Sequence, residues 1–302
     1  MTAVSPRTLR AAQWTAALTA AGYLLFSLWS GWADVWRAVT AVGPGGFAAA
    51  LALSAVNYTL RFYRWDTYLR ALGHALPRRD HAWVYLSGFA WTATPGKAGE
   101  MLRGVFLTRR GVPAELGVAA FVAERSADLL AVLLLAFPAA WLFPAYRPLL
   151  LALAAGLFLL VVAAHQSARL ARLPGVAGLV GQRLAAAADA LKVCYRLRSG
   201  WTGVFVGLIA WSAEGLALWV LLGQMGADVG VVRALFIYAV SMLAGAVSML
   251  PGGVGGAEVA MVSLLMGEGL GHGDAAAVTI LARLATLWFA VGLGVYALRR
   301  VS

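Results

Sequence analysis

Ten ionisable residues stand within or beside stretches that are otherwise apolar: Arg61, Lys97, Arg103, Arg125 and Arg283 against Glu100, Glu124, Asp128, Glu214 and Glu258. An unpaired charge at the centre of a membrane helix costs about 2.5–3.5 kcal/mol on insertion scales, so such groups must face one another or a wet cavity. Glu124 and Asp128 are four residues apart and share a helix face, while Arg125 points about 100° away from Glu124. Two glycine-rich runs, Pro95-Gly96-Lys97-Ala98-Gly99-Glu100 and Pro251-Gly252-Gly253-Val254-Gly255-Gly256-Ala257-Glu258, each precede a resumed helix. A helix N-terminus offers backbone N–H groups and partial positive charge. With guanidinium groups added, such a place suits an anion, and the planar fork of arginine matches phosphate. Lys97, Gly99, Arg103, Arg125, Gly256 and Arg283 are therefore expected to hold an anionic substrate. Glu100, Glu124, Asp128, Glu258 and Glu214 are expected to neutralise these cations or carry a coupling proton. Five charges of each sign also fit a purely structural salt-bridge network, and Arg61, close to Trp65, is placed to snorkel to the interface.

The elements that must position these residues follow from composition. Of 302 residues 62% are apolar and 12% charged, against about 45–50% and about 25% in soluble domains. That excludes a soluble globule, and the expected fold class is an all-α polytopic membrane protein forming a single integral membrane domain over residues 1–302. Apolar runs predict spanning helices over 11–29, 46–63, 114–142, 147–165, 201–222 and 275–298. Two further apolar regions are broken. Residues 82–94 make roughly 20 Å of helix, too short to cross, then meet the first glycine run and resume over 101–109. Residues 231–250 meet the second run and resume to 266. Proline and clustered glycine end helices, and at membrane depth such backbone is tolerated only inside protein or beside a polar cavity. The expectation is about six spanning helices plus two re-entrant helical hairpins, with two full spans as the alternative for the second broken region.

The +11 net charge reads as topology rather than as a nucleic-acid partner. With the N-terminus inside, sixteen basic residues fall on cytoplasmic segments, among them Arg64, Arg70, Arg109 and Arg110, against Arg37, Arg147 and Arg233 outside. Both termini are thus expected in the cytoplasm. Residues 167–199, interrupted at Pro174-Gly175, mix basic and apolar positions and read as cytoplasmic interfacial helices. Within them Cys194, the single cysteine, reads as a plain buried thiol, and it excludes a disulfide framework. His74, His81, His165 and His272 lack metal-ligand spacing, so neither a metal nor another cofactor is expected.

The broken regions match at an offset of 158: Glu100 with Glu258, Gly111 with Gly269, Arg125 with Arg283, Leu129 with Leu287. This predicts a duplication, with a first unit over 46–142 and a second over 201–302. Three crossings between their starts invert the second, giving an inverted-topology repeat of the kind common in secondary transporters.

Three blocks carry a resemblance to the lysylphosphatidylglycerol synthase transmembrane-region family, also described as flippase-like. They are Pro95–Arg103, Glu124-Arg125-Ser126-Ala127-Asp128, and Pro251–Glu258 together with Arg283. The resemblance implies a transporter moving an anionic phospholipid or a polyprenyl-phosphate glycolipid between leaflets of the inner, cytoplasmic membrane. Bifunctional members add a cytosolic aminoacyl-transferase domain, and this chain stops at Ser302, so its lipid is expected to be made by a separate enzyme. Membrane lipids with anionic headgroups are the expected partners, with a homo-oligomer also admitted. Two other readings remain open at this stage. One is a lipid-phosphate phosphatase resembling undecaprenyl-diphosphate phosphatase, which also has inverted hairpins. The other is an ion-coupled transporter of small anions.

Overall fold

The computed structural model describes residues 32–92, 94, 100–138, 144, 147–170 and 179–301. The expected span over 11–29, the Pro174-Gly175 interruption, and Lys97 and Gly99 of the expected site lie outside the described residues. Every regular element described is helical. In chain order these are α1 (Trp32–Ala71), α2 (Arg78–Ser87), α3 (Arg103–Thr108), α4 (Ala114–Ala136), α5 (Arg147–Leu170), α6 (Leu179–Cys194), α7 (Leu197–Gln224), α8 (Val231–Val247), α9 (Gly256–Gly267), α10 (His272–Arg283) and α11 (Phe289–Val301). A π-helical turn, Leu284–Trp288, joins α10 to α11 without a break.

Three helical stretches are long and apolar enough to cross a membrane: Ala33–Ala71, Gly200–Gln224 and His272–Val301. With them the protein is a multi-pass membrane protein. Helix α4, at 23 residues, is about 35 Å long and could also span, but it carries Glu115, Glu124, Arg125 and Asp128. Helix α1 runs well past the end expected for it at residue 63. It bends at Gly43-Pro44, where Gly43 leaves helical geometry and Pro44 has no N–H to give. Its extension to Ala71 carries Arg64, Asp66 and Arg70 within the helix.

The described residues form two compact units. One gathers those of Met1–Asn57, Trp83–Glu100 and Ser212–Ser302; the other gathers those of Tyr58–Ala82 and Met101–Trp211. In the first, α8 packs on α9 and α9 on α10, while α11 packs on the 3-10 turn Gly88–Trp91. In the second, α4 packs on α3, α5 and α6, and α5 packs on α6. Ala119, Ala120, Ala123, Ala127 and Ala131 of α4 are all buried, and such small side chains let helices approach closely.

Each unit contains a broken helix that ends in the same way. In one, Val112 N–H donates to Leu107 O and Gly111 N–H to Thr108 O; in the other, Leu270 N–H donates to Leu265 O and Gly269 N–H to Met266 O. This is the glycine-terminated helix end in which the last carbonyls are satisfied through a left-handed residue, and Gly111 and Gly269 have φ of +81° and +95°. The next helices begin at Ala114 and His272. All these positions are related by the same offset of 158 that relates the sequence motifs.

Cys194 is fully buried at the end of α6, and burial pushes its thiol up to about 12. The thiolate is the reacting form. A maleimide at pH 7.5 is therefore expected to leave the folded protein unlabelled in detergent and to label it once after denaturation, read by intact mass.

A buried arginine–carboxylate cluster as the candidate functional site

Glu124 lies ten residues into α4, about 15 Å along it, with Asp128 one turn further on the same face. Both are buried. Arg61 and Arg64, three apart on α1, approach this face together. The Arg64 Nη2 lies 2.5 Å from Asp128 Oδ1 and 3.8 Å from Glu124 Oε1, and the Arg61 Nη2 lies 3.4 Å from Asp128 Oδ2 and 3.8 Å from Glu124 Oε1. From α3, Arg103 Nη2 donates to Glu124 Oε2. Arg125 turns back along its own helix, placing Nη2 3.1 Å from Glu124 Oε1 and 2.9 Å from Asp128 Oδ2. Four guanidinium groups of this unit thus converge on two carboxylates.

The neighbouring side chains hold this cluster rigidly. Trp211 Nε1 donates to Asp128 Oδ1 at 3.0 Å, and Arg64 Nη1 donates to Gly203 O at 3.4 Å. A Cβ on Gly207 would stand 2.9 Å from Arg64 Nη1, so a glycine here makes room for the guanidinium against α7. The Arg103 guanidinium lies over the Trp65 ring, 3.8 Å from its centroid, and the Arg61 guanidinium lies 5.6 Å from that of Trp211. Cation–π contact adds to ion pairing where water is excluded.

Behind Trp65 a second polar chain runs outward. Trp65 Nε1 donates to His81 Nε2 at 2.9 Å, and His81 Nδ1 lies 2.8 Å from Asp66 Oδ1. An indole N–H can only donate, so His81 accepts at Nε2 and its proton is on Nδ1, facing Asp66. Arg70 Nε donates to the other Asp66 oxygen at 2.7 Å. His81 is fully buried, and burial keeps its pKa below 6.5 although Asp66 pulls the other way. It is held as the neutral ring.

In the other unit Arg283 makes a different arrangement. Its Nε donates to Glu258 Oε1 at 2.7 Å, its Nη2 donates to Gly252 O at 2.8 Å, and its Nη1 lies 3.7 Å from Met242 Sδ. The other Glu258 oxygen accepts the Gly255 N–H at 2.6 Å. Arg283 thereby ties the glycine-rich break, the start of α9 and helix α8 to one carboxylate. The α9 N-terminus already carries an anion, its own Glu258, which leaves Gly256 a backbone role only. A Cβ on Gly256 would meet Ser248 at 2.7 Å. Elsewhere in this unit Tyr238 donates to Glu214, and Thr92 Oγ1 donates to buried Glu100.

Of the expected site residues, the structure brings Arg103, Arg125, Glu124 and Asp128 together in one unit, and Arg283, Glu258 and Gly256 in the other. Arg61 does not snorkel: it is buried in the cluster. Arg64, Trp65, His81, Asp66 and Trp211 are participants that sequence reasoning missed. The spacing of Arg61, Arg64 and Asp66 within one uninterrupted helix was the signal available. Among the described residues no group of three or more His, Cys, Asp or Glu could hold a metal.

Removing one partner of a buried ion pair leaves the others uncompensated, at about 3–5 kcal/mol. Asp128→Ala is therefore expected to lose about that much stability in detergent, measured by chemical unfolding, and Lys192→Ala on the exposed Lys192–Asp189 pair less than about 1 kcal/mol. A second outcome concerns pH. His81 binds its proton less readily folded than unfolded, so its contribution is complete above pH 6.5 and is lost as pH falls below that value. The melting temperature is expected to drop between pH 7.5 and 5.5 more steeply for the native protein than for His81→Asn.

Comparison with known proteins agrees with this membrane architecture. The sequence pattern of the family described as the lysylphosphatidylglycerol synthase TM region matches residues 13–294. A protein of Methanothermobacter thermautotrophicus, described as a UPF0104 membrane protein, is 26% identical over 87% of this chain and 85% of its own length. The match runs through both broken helices and both arginine sites, and the chain belongs to the lysylphosphatidylglycerol synthase transmembrane-region family.

Proposed function

We propose that this protein is a lipid transporter, a carrier and not an enzyme, which moves an anionic phospholipid or a polyprenyl-phosphate glycolipid between leaflets by alternating access. The observation that carries the reading is the convergence of Arg61, Arg64, Arg103 and Arg125 on Glu124 and Asp128. Within that unit the cluster is richer in positive than in negative charge, and guanidinium groups bind phosphate by paired hydrogen bonds. A lipid phosphate entering the cluster shares these cations with the two carboxylates. Arg125 is the first contact, since 21% of its side chain is exposed while those of the other three are at most 5% exposed.

Arg283 and Glu258 supply the corresponding element of the other unit. Glu258 occupies the helix N-terminus and the guanidinium together, standing where a phosphate would stand. An incoming phosphate releases the carboxylate, which a coupling proton can neutralise on departure, and its return as the anion expels the lipid. Lys97 and Gly99 belong to the same proposal as the first break's contribution. The acyl chains remain in the bilayer throughout.

Support for the topology is of three kinds. Six spans and two re-entrant hairpins are compatible with the described helix lengths. The shared helix ends at Gly111 and Gly269 support an inverted repeat over 46–142 and 201–302. The sequence count of sixteen basic residues inside against Arg37, Arg147 and Arg233 outside supports cytoplasmic termini in the inner membrane. Expected protein partners are a second copy and a separate lipid-synthesising enzyme.

The test is leaflet reversal of fluorescent phosphatidylglycerol in proteoliposomes, followed by dithionite quenching. The native protein is expected to accelerate reversal and Arg125→Ala to lose about tenfold or more of that rate. Arg283→Ala loses it too. Unaltered reversal by both variants would remove these residues from the site.

A further inference from the structure

The segment between the first break and α4 does more than deliver Arg103 to Glu124. Helices α3 and α4 leave a slot of about 210 Å³ between them. Its base is the stacked pair of Arg103 and Trp65, and its walls include Gly104, Gly117 and Phe121. Met101, Val105 and Val118 form its rim, each about two-fifths exposed. The slot follows the first two turns of α4, about 10 Å of helix.

Resting on the transport reading above, we propose that this slot holds one acyl chain of the anionic phospholipid while its phosphate is on the arginine cluster. Three observations select that occupant. In a membrane protein an apolar rim of this kind borders lipid tails. The volume is below the roughly 300–1,000 Å³ of pockets that enclose a small molecule, and its narrow form suits the part of one unbranched chain nearest the headgroup. The charge is complementary to an amphiphile: the base is a guanidinium that also binds Glu124 of the cluster, and the exposed Arg109 follows at the end of α3. A chain in this slot has its anionic end on Arg103 and its tail in the bilayer.

Gly104 makes the slot testable. A Cβ placed on it meets no atom within 4 Å, so the backbone there has room for a side chain that narrows the slot, and leucine forms helix better than glycine. The native protein is reconstituted in phosphatidylglycerol vesicles containing a phosphatidylglycerol with a mid-chain diazirine, irradiated, digested and mapped by mass spectrometry. Adducts are expected on Val105 and Val118, and Gly104→Leu or Val118→Trp is expected to reduce those at the unmutated rim position by about tenfold. Adducts spread over other helices, or adducts at the rim that only a polyprenyl-phosphate diazirine produces, would overturn the assignment. Mapping on the native protein decides this even if a variant fails to fold. Leaflet reversal measured on the same vesicles separates the two claims. Reversal with adducts elsewhere defeats the slot and leaves transport standing; slot adducts without reversal defeat transport and leave a lipid-binding slot.

Discussion

Charge buried in an apolar phase is the constraint on which this structure depends. Glu124 and Asp128 sit about 15 and about 21 Å along a largely apolar helix, where an isolated buried carboxylate costs several kcal/mol. Arg125 of the same helix offsets part of this cost, and other segments bring three further cations. Arg61 and Arg64 are therefore carried on a helix that continues past the expected membrane edge, and Arg103 on a six-residue helix between two chain breaks. Glycine at 207 opens the space that Arg64 fills. Each of these local choices is explained by the two carboxylates, and none by helix propensity alone.

The second unit solves a similar problem with one pair. Glu258 caps a helix and neutralises Arg283 at once, so a single carboxylate satisfies a helix terminus and a guanidinium. This economy has a functional side. The proposed exchange uses this economy, since a phosphate offers oxygens to the same guanidinium and the same helix N-terminus. A site that is closed on its own carboxylate in the absence of substrate avoids leaving cations bare in the membrane, which a fixed, empty phosphate site could not avoid.

Much of this was legible in the sequence, and the reasons for success and failure are physical. The breaks at residues 95–100 and 251–258 were visible because proline and glycine clusters act locally. Glu124 and Asp128 were visible because i, i+4 spacing fixes a shared face. Arg125 and Arg283 were found by the 158-residue offset, which the helix ends at Gly111 and Gly269 also follow. Arg64 was placed beyond the end of the span because hydropathy falls where charges gather, although the helix itself continues to Ala71. Trp65 was read as an interfacial residue, yet it is buried under Arg103 and held by His81. Contacts between segments far apart in sequence, such as Trp211 to Asp128, leave no periodic trace and could not have been read.

The central claim is that the arginine cluster on α4 accepts a lipid phosphate. Its most direct measurement is a density map of the protein in phosphatidylglycerol nanodiscs. Phosphate density is expected within hydrogen-bonding distance of Arg125 and Arg103, with Glu124 or Asp128 withdrawn from at least one guanidinium. A cluster closed on its own carboxylates, with ordered phosphate found only at the protein's periphery, would contradict it.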